Sequence, residues 1–152
     1  MTDALDLRER VARTAANEVD CQDSARYWRE VLEPSWKGPH PKHWCGAFAL
    51  WALHMALGCT WLWCMNPRAP GFLRRLPMTR DPKVGDICYR AEPYQHHGVV
   101  VARSGDVVQT AEGNTGNSPG IVAVKSGPLS SWTAFYSIEP IIQEALQHDC
   151  QT

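Results

Sequence analysis

The chain has 152 residues, with 15 Lys and Arg against 16 Asp and Glu and a formal net charge of -1, which fits one compact domain around one core. No run of Lys or Arg occurs, so the basic footprint of a nucleic-acid or anionic-membrane binder is missing. Seven Trp are out of proportion for this size, and all but Trp132 fall between Trp28 and Trp63.

In chain order, Leu7, Val11, Ala15 and Val19 recur every four positions and predict an amphipathic helix from Ala4 to about Val19. Asp23 and Ser24 can cap a second helix through Tyr27, Trp28, Val31 and Leu32 that Pro34 ends. Residues 34–43, rich in Pro, form a loop. A third helix starts near Trp44 or Cys45 and ends near Gly58. The stretch from Cys45 to Asn66 carries no charged residue, yet Gly58, Cys59 and Thr60 interrupt it too early for a membrane span, which needs about 20 apolar residues; a buried core helix is the expectation. After a connector from Asn66 to Val84 the period changes to alternation. Asp86 to Arg90, His96 to Arg103, Asp106 to Glu112, Ile121 to Lys125 and Thr133 to Ile138 read as five short strands in a meander, separated by turn chemistry such as Ser104-Gly105-Asp106 and Gly113-Asn114-Thr115-Gly116-Asn117. Helices first and strands after is an α+β layout.

Six Cys stand at 21, 45, 59, 64, 88 and 150. The segment after Met1 is acidic and basic rather than apolar, so it lacks a Sec-type signal, and the thiols are expected to be mostly reduced. Cys45 differs from the rest by opening a helix, where free N–H groups and the helix dipole favour a thiolate. His96 begins an alternating strand in which His96, Gly98 and Val100 share one face, and Gly98 leaves room for another element to come close. If that element is the start of the Cys45 helix, a thiol meets an imidazole, the pairing a cysteine nucleophile requires. A hairpin turning at Ser104-Gly105 sets His96 nominally opposite Gly113. A shift of half a residue sets it opposite Glu112 or Asn114, and either side chain could orient the ring.

The strings WCGAFALWAL (Trp44 to Leu53), PKVGDICYR (Pro82 to Arg90), HHGVVV (His96 to Val101) and EGNTG (Glu112 to Gly116) together resemble the CHAP domains. These are papain-like cysteine amidases and endopeptidases, related to the NlpC-type peptidases, that cut the peptide part of bacterial peptidoglycan. The resemblance runs from about residue 10 to 138. It implies Cys45 as nucleophile, His96 rather than His97 as base, and Glu112 as the acidic third member, with Asn114 a polar neighbour able to share the orienting role. It also implies a papain-like fold of N-terminal helices on a C-terminal antiparallel sheet of about five strands. The pair Cys59 and Cys64 and the run Trp61-Leu62-Trp63 depart from the family pattern, and the aspartate-rich calcium loop of some members is missing, since Asp20 and Asp23 are too few ligands.

The expectation is a single catalytic domain over 1–152, helical over about 4–65 and β over about 84–138. It would hydrolyse an amide bond in the wall peptide or at its junction with the sugar, as a monomer without cofactor or metal. Trp44, beside the nucleophile, is expected to line the substrate cleft. Peptidoglycan is the partner, with no nucleic acid and no membrane span. The protein would be made in the cytoplasm and act at the wall or periplasm, delivered by phage lysis as an endolysin, by a virion, or as an antibacterial effector. Two rival readings are a noncatalytic wall-binding or partner-binding module using the Trp-rich half, and a zinc hydrolase drawing on His40, His43, Cys45, Cys59 and Cys64. The Cys59-x4-Cys64 spacing is looser than zinc sites prefer.

Overall fold

The computed structural model describes residues 2–31, 38, 42–58, 69–116 and 120–148. The helices α1 Ala4–Ala16, α2 Ser24–Val31 and α3 Cys45–Leu57 come first, and a 3-10 segment Ala69–Arg75 leads into the sheet. The strands are β1 Met78–Thr79, β2 Ile87–Arg90, β3 His96–Ser104, β4 Val107–Thr115, β5 Ile121–Pro128 and β6 Ala134–Tyr136, followed by α4 Glu139–His148. The fold is α+β: four helices, three of them N-terminal, pack on a six-stranded antiparallel sheet of order β1-β6-β2-β3-β4-β5.

Helix α1 starts at a capping box. Asp3 Oδ1 accepts from the Asp6 backbone N–H at 2.9 Å and Asp6 Oδ2 accepts from that of Asp3 at 3.3 Å, so two donors left orphaned at the helix start are satisfied reciprocally. Leu7, Val11 and Ala15 are fully buried. Val19, the fourth position of that stripe, is 44% exposed, because the helix stops at Ala16 and the chain turns through a left-handed Asp20 whose N–H donates to the Val122 carbonyl at 2.8 Å. In α2 the Asp23 carboxylate caps the Arg26 N–H at 3.2 Å, and Tyr27, Trp28 and Val31 face inward. The expected helix end at Pro34 lies outside the described residues, as does most of the loop at 34–43.

Helix α3 has no polar face: every residue from Cys45 to Leu57 except His54 and Met55 is buried. A helix apolar all round must be enclosed on all sides, and α3 is held between α1 and α2 on one side and β3 and β4 on the other. It ends at Gly58, left-handed at φ 73°, whose N–H returns to the His54 carbonyl, a common helix stop. No described helix is long and apolar enough to cross a membrane.

The strands depart from the expected meander in three ways. β6 returns across the sheet to pair with β2, and β1 adds to its outer edge. β4 runs on through Gly113-Asn114-Thr115, a stretch read from composition as a turn. After β6 the chain forms α4, which puts Ile141, Ile142 and Ala145 into the main core. The sheet has two apolar faces. Ile87, Val99, Ala111 and Val122 meet the helices, while Cys88, Val100, Val108, Trp132 and Phe135 form a smaller cluster on the far side.

One ion network centred on the buried Arg8 and Asp86 ties α1 and α4 to the sheet. Arg8 donates to Asp86 Oδ1 at 2.7 Å, to Glu139 Oε2 at 3.0 Å and to the Val84 carbonyl at 3.2 Å. Asp86 also accepts from the Ile138 and Lys83 backbone N–H groups at 3.0 and 2.8 Å. Removing one partner strands the other charge in the interior. Arg8→Met is therefore expected to cost about 3 kcal/mol in urea unfolding; a loss below about 1 kcal/mol would show that the pair does not hold these elements together.

Candidate active site

Cys45 is the first residue of α3, and Trp44 at the preceding position supplies no capping side chain. The thiol therefore sits where the helix presents unpaired N–H groups and the positive end of its dipole. Gly113 of β4 lets the helix start come this close to the sheet: a Cβ there would stand 2.7 Å from Phe48 Cβ and 2.8 Å from Trp44 Cζ3. The place of close approach expected at Gly98 is thus at Gly113. Alternation defines two strand faces without saying which of them the helix meets.

Gly98 has a different task. The recorded β3–β4 pairing starts at Val99↔Ala111 and Val100↔Thr110, then shifts by one residue at a bulge before Ala102↔Gln109. Continued toward the start of β3, that register sets Glu112 opposite Gly98 and two positions along the same face from His96. Glu112 reaches His96 across the missing side chain, since a Cβ on Gly98 would lie 3.0 Å from Glu112 Cγ and 2.9 Å from Cys88 Sγ. The result is a 2.8 Å contact between His96 Nε2 and Glu112 Oε1. The other carboxylate oxygen accepts from Thr110 Oγ1 at 2.7 Å. Cys45 and His96 each favour the other's charged form, and with Nε2 engaged by Glu112 Nδ1 is the ring nitrogen left to meet the thiol.

The electrostatics follow from these contacts. Burial opposes ionisation of Cys45, but hydrogen bonds from His96 and His97 and the His96 charge outweigh it and bring the thiol down to about 5. Burial likewise disfavours a charged His96, yet the bonds to Cys45 and Glu112 raise it to about 9. Glu112 stays below the usual carboxylate range despite its burial, because His96 and Thr110 both bond to the charged form. Between those two midpoints the site holds a thiolate beside an imidazolium. Cys88 lies at the same place on the sheet and behaves oppositely: complete burial, with Glu112 nearby, pushes its thiol well up, which makes it inert.

The structure brings Cys45, His96 and Glu112 together, and among the described residues the bond to His96 Nε2 comes from Glu112 and not Asn114. Asn114 is left-handed at φ 58° and its side chain is packed against Gly120. Trp44, expected to line a cleft, is buried. The residue is 4% exposed and its ring stacks on Tyr27 with centroids 5.5 Å apart. Trp28, Trp51 and Trp132 are also buried, while Trp36, Trp61 and Trp63 lie outside the described residues. Cys21, Cys45 and Cys88 are free thiols. Among the described residues no three His, Cys, Asp or Glu side chains form a metal-binding group; His40, Cys59 and Cys64 lie outside them.

Four residues went unread from sequence. Thr110 sits two positions before Glu112, and the alternation of β4 could have placed both on one face. Trp132 stacks on the His96 ring, with centroids 6.3 Å apart and planes 13° from parallel, and carries the Arg90 guanidinium 4.1 Å from its own ring centroid. Arg74 contacts His97 Nε2 at 3.2 Å. For Trp132 and Arg74 no local signal exists, because each arrives from a distant part of the chain.

Gly98→Ala tests the diagonal contact. The added methyl is expected to cost about 1–3 kcal/mol by overpacking and to displace Glu112, so that the His96 midpoint followed by imidazole NMR falls from about 9 toward the ordinary histidine value; an unchanged midpoint would show that Glu112 does not depend on this gap. Compared with protein-family models, curated proteins and solved structures, the chain matches none.

Proposed function

We propose that the protein is a cysteine amidase or endopeptidase of the CHAP and NlpC-type, papain-like class that hydrolyses an amide bond of bacterial peptidoglycan, within the wall peptide or at its junction with the sugar. The observation that carries this reading is the chain of contacts Thr110–Glu112–His96–Cys45, which ends on a thiol lowered to about 5. A thiolate is the nucleophilic form, and most cysteines do not reach it at neutral pH.

Each residue then has one task. The Cys45 thiolate attacks the scissile carbonyl carbon, and the backbone N–H of Cys45, at the uncapped start of α3, donates to the developing oxyanion. His96, protonated at Nδ1, gives that proton to the departing amine. The ring then takes a proton from water, and the hydroxide so formed attacks the thioester and releases the acid and the thiolate. Glu112 orients the ring through Nε2 and favours its charged form, and Thr110 fixes the carboxylate. The choice of peptidoglycan rests on the four sequence strings that resemble the family. Delivery to the wall by phage lysis, by a virion or as an antibacterial effector belongs to the same proposal.

Mass spectrometry of purified peptidoglycan digested with wild type and with Cys45→Ala tests activity, nucleophile and bond together. New amide-cleavage products are expected from wild type and none from the variant; lysis that survives Cys45→Ala would overturn the reading. The pH dependence has a definite sign. Below about 5 the thiol gains its proton, and above about 9 the imidazolium loses the one it must donate, so kcat/KM is expected to form a plateau bounded by those two macroscopic values. Glu112→Gln should lower kcat by roughly a hundredfold or more and pull the alkaline limb to lower pH.

A further inference from the structure

Arg90 stands directly across β2 and β3 from His96, so the two side chains rise from the same face of the sheet, where facing residues are neighbours. Both lie against one ring. The Arg90 guanidinium carbon is 4.1 Å from the Trp132 ring centroid and the His96 ring centroid is 6.3 Å from it, so cation and imidazole are no more than about 10 Å apart. The chain fixes this platform on both sides of Arg90. The Thr133 N–H donates to the Tyr89 carbonyl at 2.8 Å, and Thr133 Oγ1 accepts from the Ala91 N–H at 2.9 Å, which fastens the residue after Trp132 to the two neighbours of Arg90. Arg90 Nε in turn donates to the Ser131 carbonyl at 3.1 Å, at the surface.

A guanidinium has five N–H donors and no acceptor. Arg8, Arg26 and Arg103 each direct theirs at a carboxylate, respectively of Asp86 and Glu139, of Glu18 and of Asp81. Arg90 meets no carboxylate among the described residues, and its side-chain bond to Ser131 uses Nε alone. The unspent part is the flat end formed by Nη1 and Nη2, a fork that matches the two oxygens of a carboxylate. Arg90 is half-buried rather than enclosed, so an arriving carboxylate displaces water there without opening the core. A cation held by an aromatic face and a carbonyl, with its fork unused, is built for an anion that these elements do not supply.

We propose that Arg90 binds a free carboxylate of the substrate and so selects amides that carry one close to the scissile bond. The proposal rests on the reading of Cys45 and His96 as the reacting pair and adds a substrate charge to it. Extended chain advances about 3.5 Å per residue, so a carboxylate on Arg90 lies within about three residues of the bond cleaved beside His96. Wall peptides, with free carboxylates on side chains and at chain ends, meet that requirement. Trp132 both holds the anchor and stacks on the proton-carrying ring, which ties the place of the bound carboxylate to the place of the reacting imidazole.

The test needs no knowledge of which bond is cut. The full chain is alkylated with iodoacetyl-glycyl-glycine and with iodoacetyl-glycyl-glycinamide, which differ only in a terminal carboxylate against a carboxamide. Modification is read by mass spectrometry on the Cys45 peptide, and the ratio of the two rates is taken relative to that of free cysteine. Wild type is expected to favour the carboxylate reagent about tenfold, the effect of one charge-assisted hydrogen-bonded pair. Arg90→Gln should abolish the preference, and Arg90→Lys, which keeps the charge without the planar fork, should fall between. Damage to the site or the fold slows both reagents alike and cancels in the ratio, so a purely structural role for Arg90 would leave the ratio at its wild-type value. A wild-type ratio equal to that of free cysteine, or one unchanged in Arg90→Gln, would overturn the assignment. Alkylation of Cys45 that titrates near the ordinary thiol value instead of near 5 would remove the nucleophile reading, while the ratio measured at high pH would still report on Arg90.

Discussion

A helix without a polar face is stable only when other elements enclose it, and the enclosure of α3 is the constraint on which the rest of this structure depends. Helices α1 and α2 cover one side and the sheet covers the other. Because α3 cannot slide outward without exposing Phe48, Leu50 or Leu53, the position of its first residue against β3 and β4 is set by packing and not by the site itself. The small area of Gly113 then decides how near that first residue comes. A thiol that ionises easily at this point is a by-product of burying an apolar cylinder end-on against a strand that carries imidazoles.

The site places three ionised groups in an interior that disfavours each of them singly. Glu112 is 2% exposed and His96 and Cys45 are 7% exposed, and burial alone would neutralise all three. Their charges alternate in sign along the chain of contacts, so each one offsets the cost of its neighbour. The same logic explains Cys88: complete burial and the nearby Glu112 charge outweigh the attraction of Arg90, and it stays a thiol. Two buried cysteines thus shift in opposite directions, decided by which one meets an imidazole.

Much of this was legible before any coordinates. The start of α3 at Cys45, its end at Gly58 and the start of β3 at His96 follow from local chemistry: an apolar run after a Pro-rich loop, a left-handed glycine, and an alternating pattern. The face shared by His96, Gly98 and Val100 also follows from period two. What alternation cannot express is which face the helix covers, so period two alone points to Gly98 where the close approach is at Gly113. The choice between Glu112 and Asn114 was open for a similar reason, since a bulge at Val101 shifts the pairing by one residue and no residue there announces it. Asn114 and Gly113 resemble turn residues, yet they continue β4, because the strand needs a gap for α3 more than it needs regular propensity. Trp44, adjacent to Cys45 in sequence, stacks on Tyr27 in the core, and only tertiary packing could reveal that.

The buried arginine of α1 bears on how the chain is made. Arg8 leaves the ribosome well before its acceptors, since Asp86 and Glu139 lie 78 and 131 positions later. Until both have emerged, that guanidinium can be stable only in water, and α1 has no reason to settle on the sheet. Closing contacts of such long range is entropically slow and comes late in folding. The enclosure of α3 needs α1 in place, and the thiolate needs α3 in place. A chain in which α1 has not yet docked would therefore lack the contacts that favour a Cys45 thiolate, and these would arise only once both acceptors of Arg8 are in place.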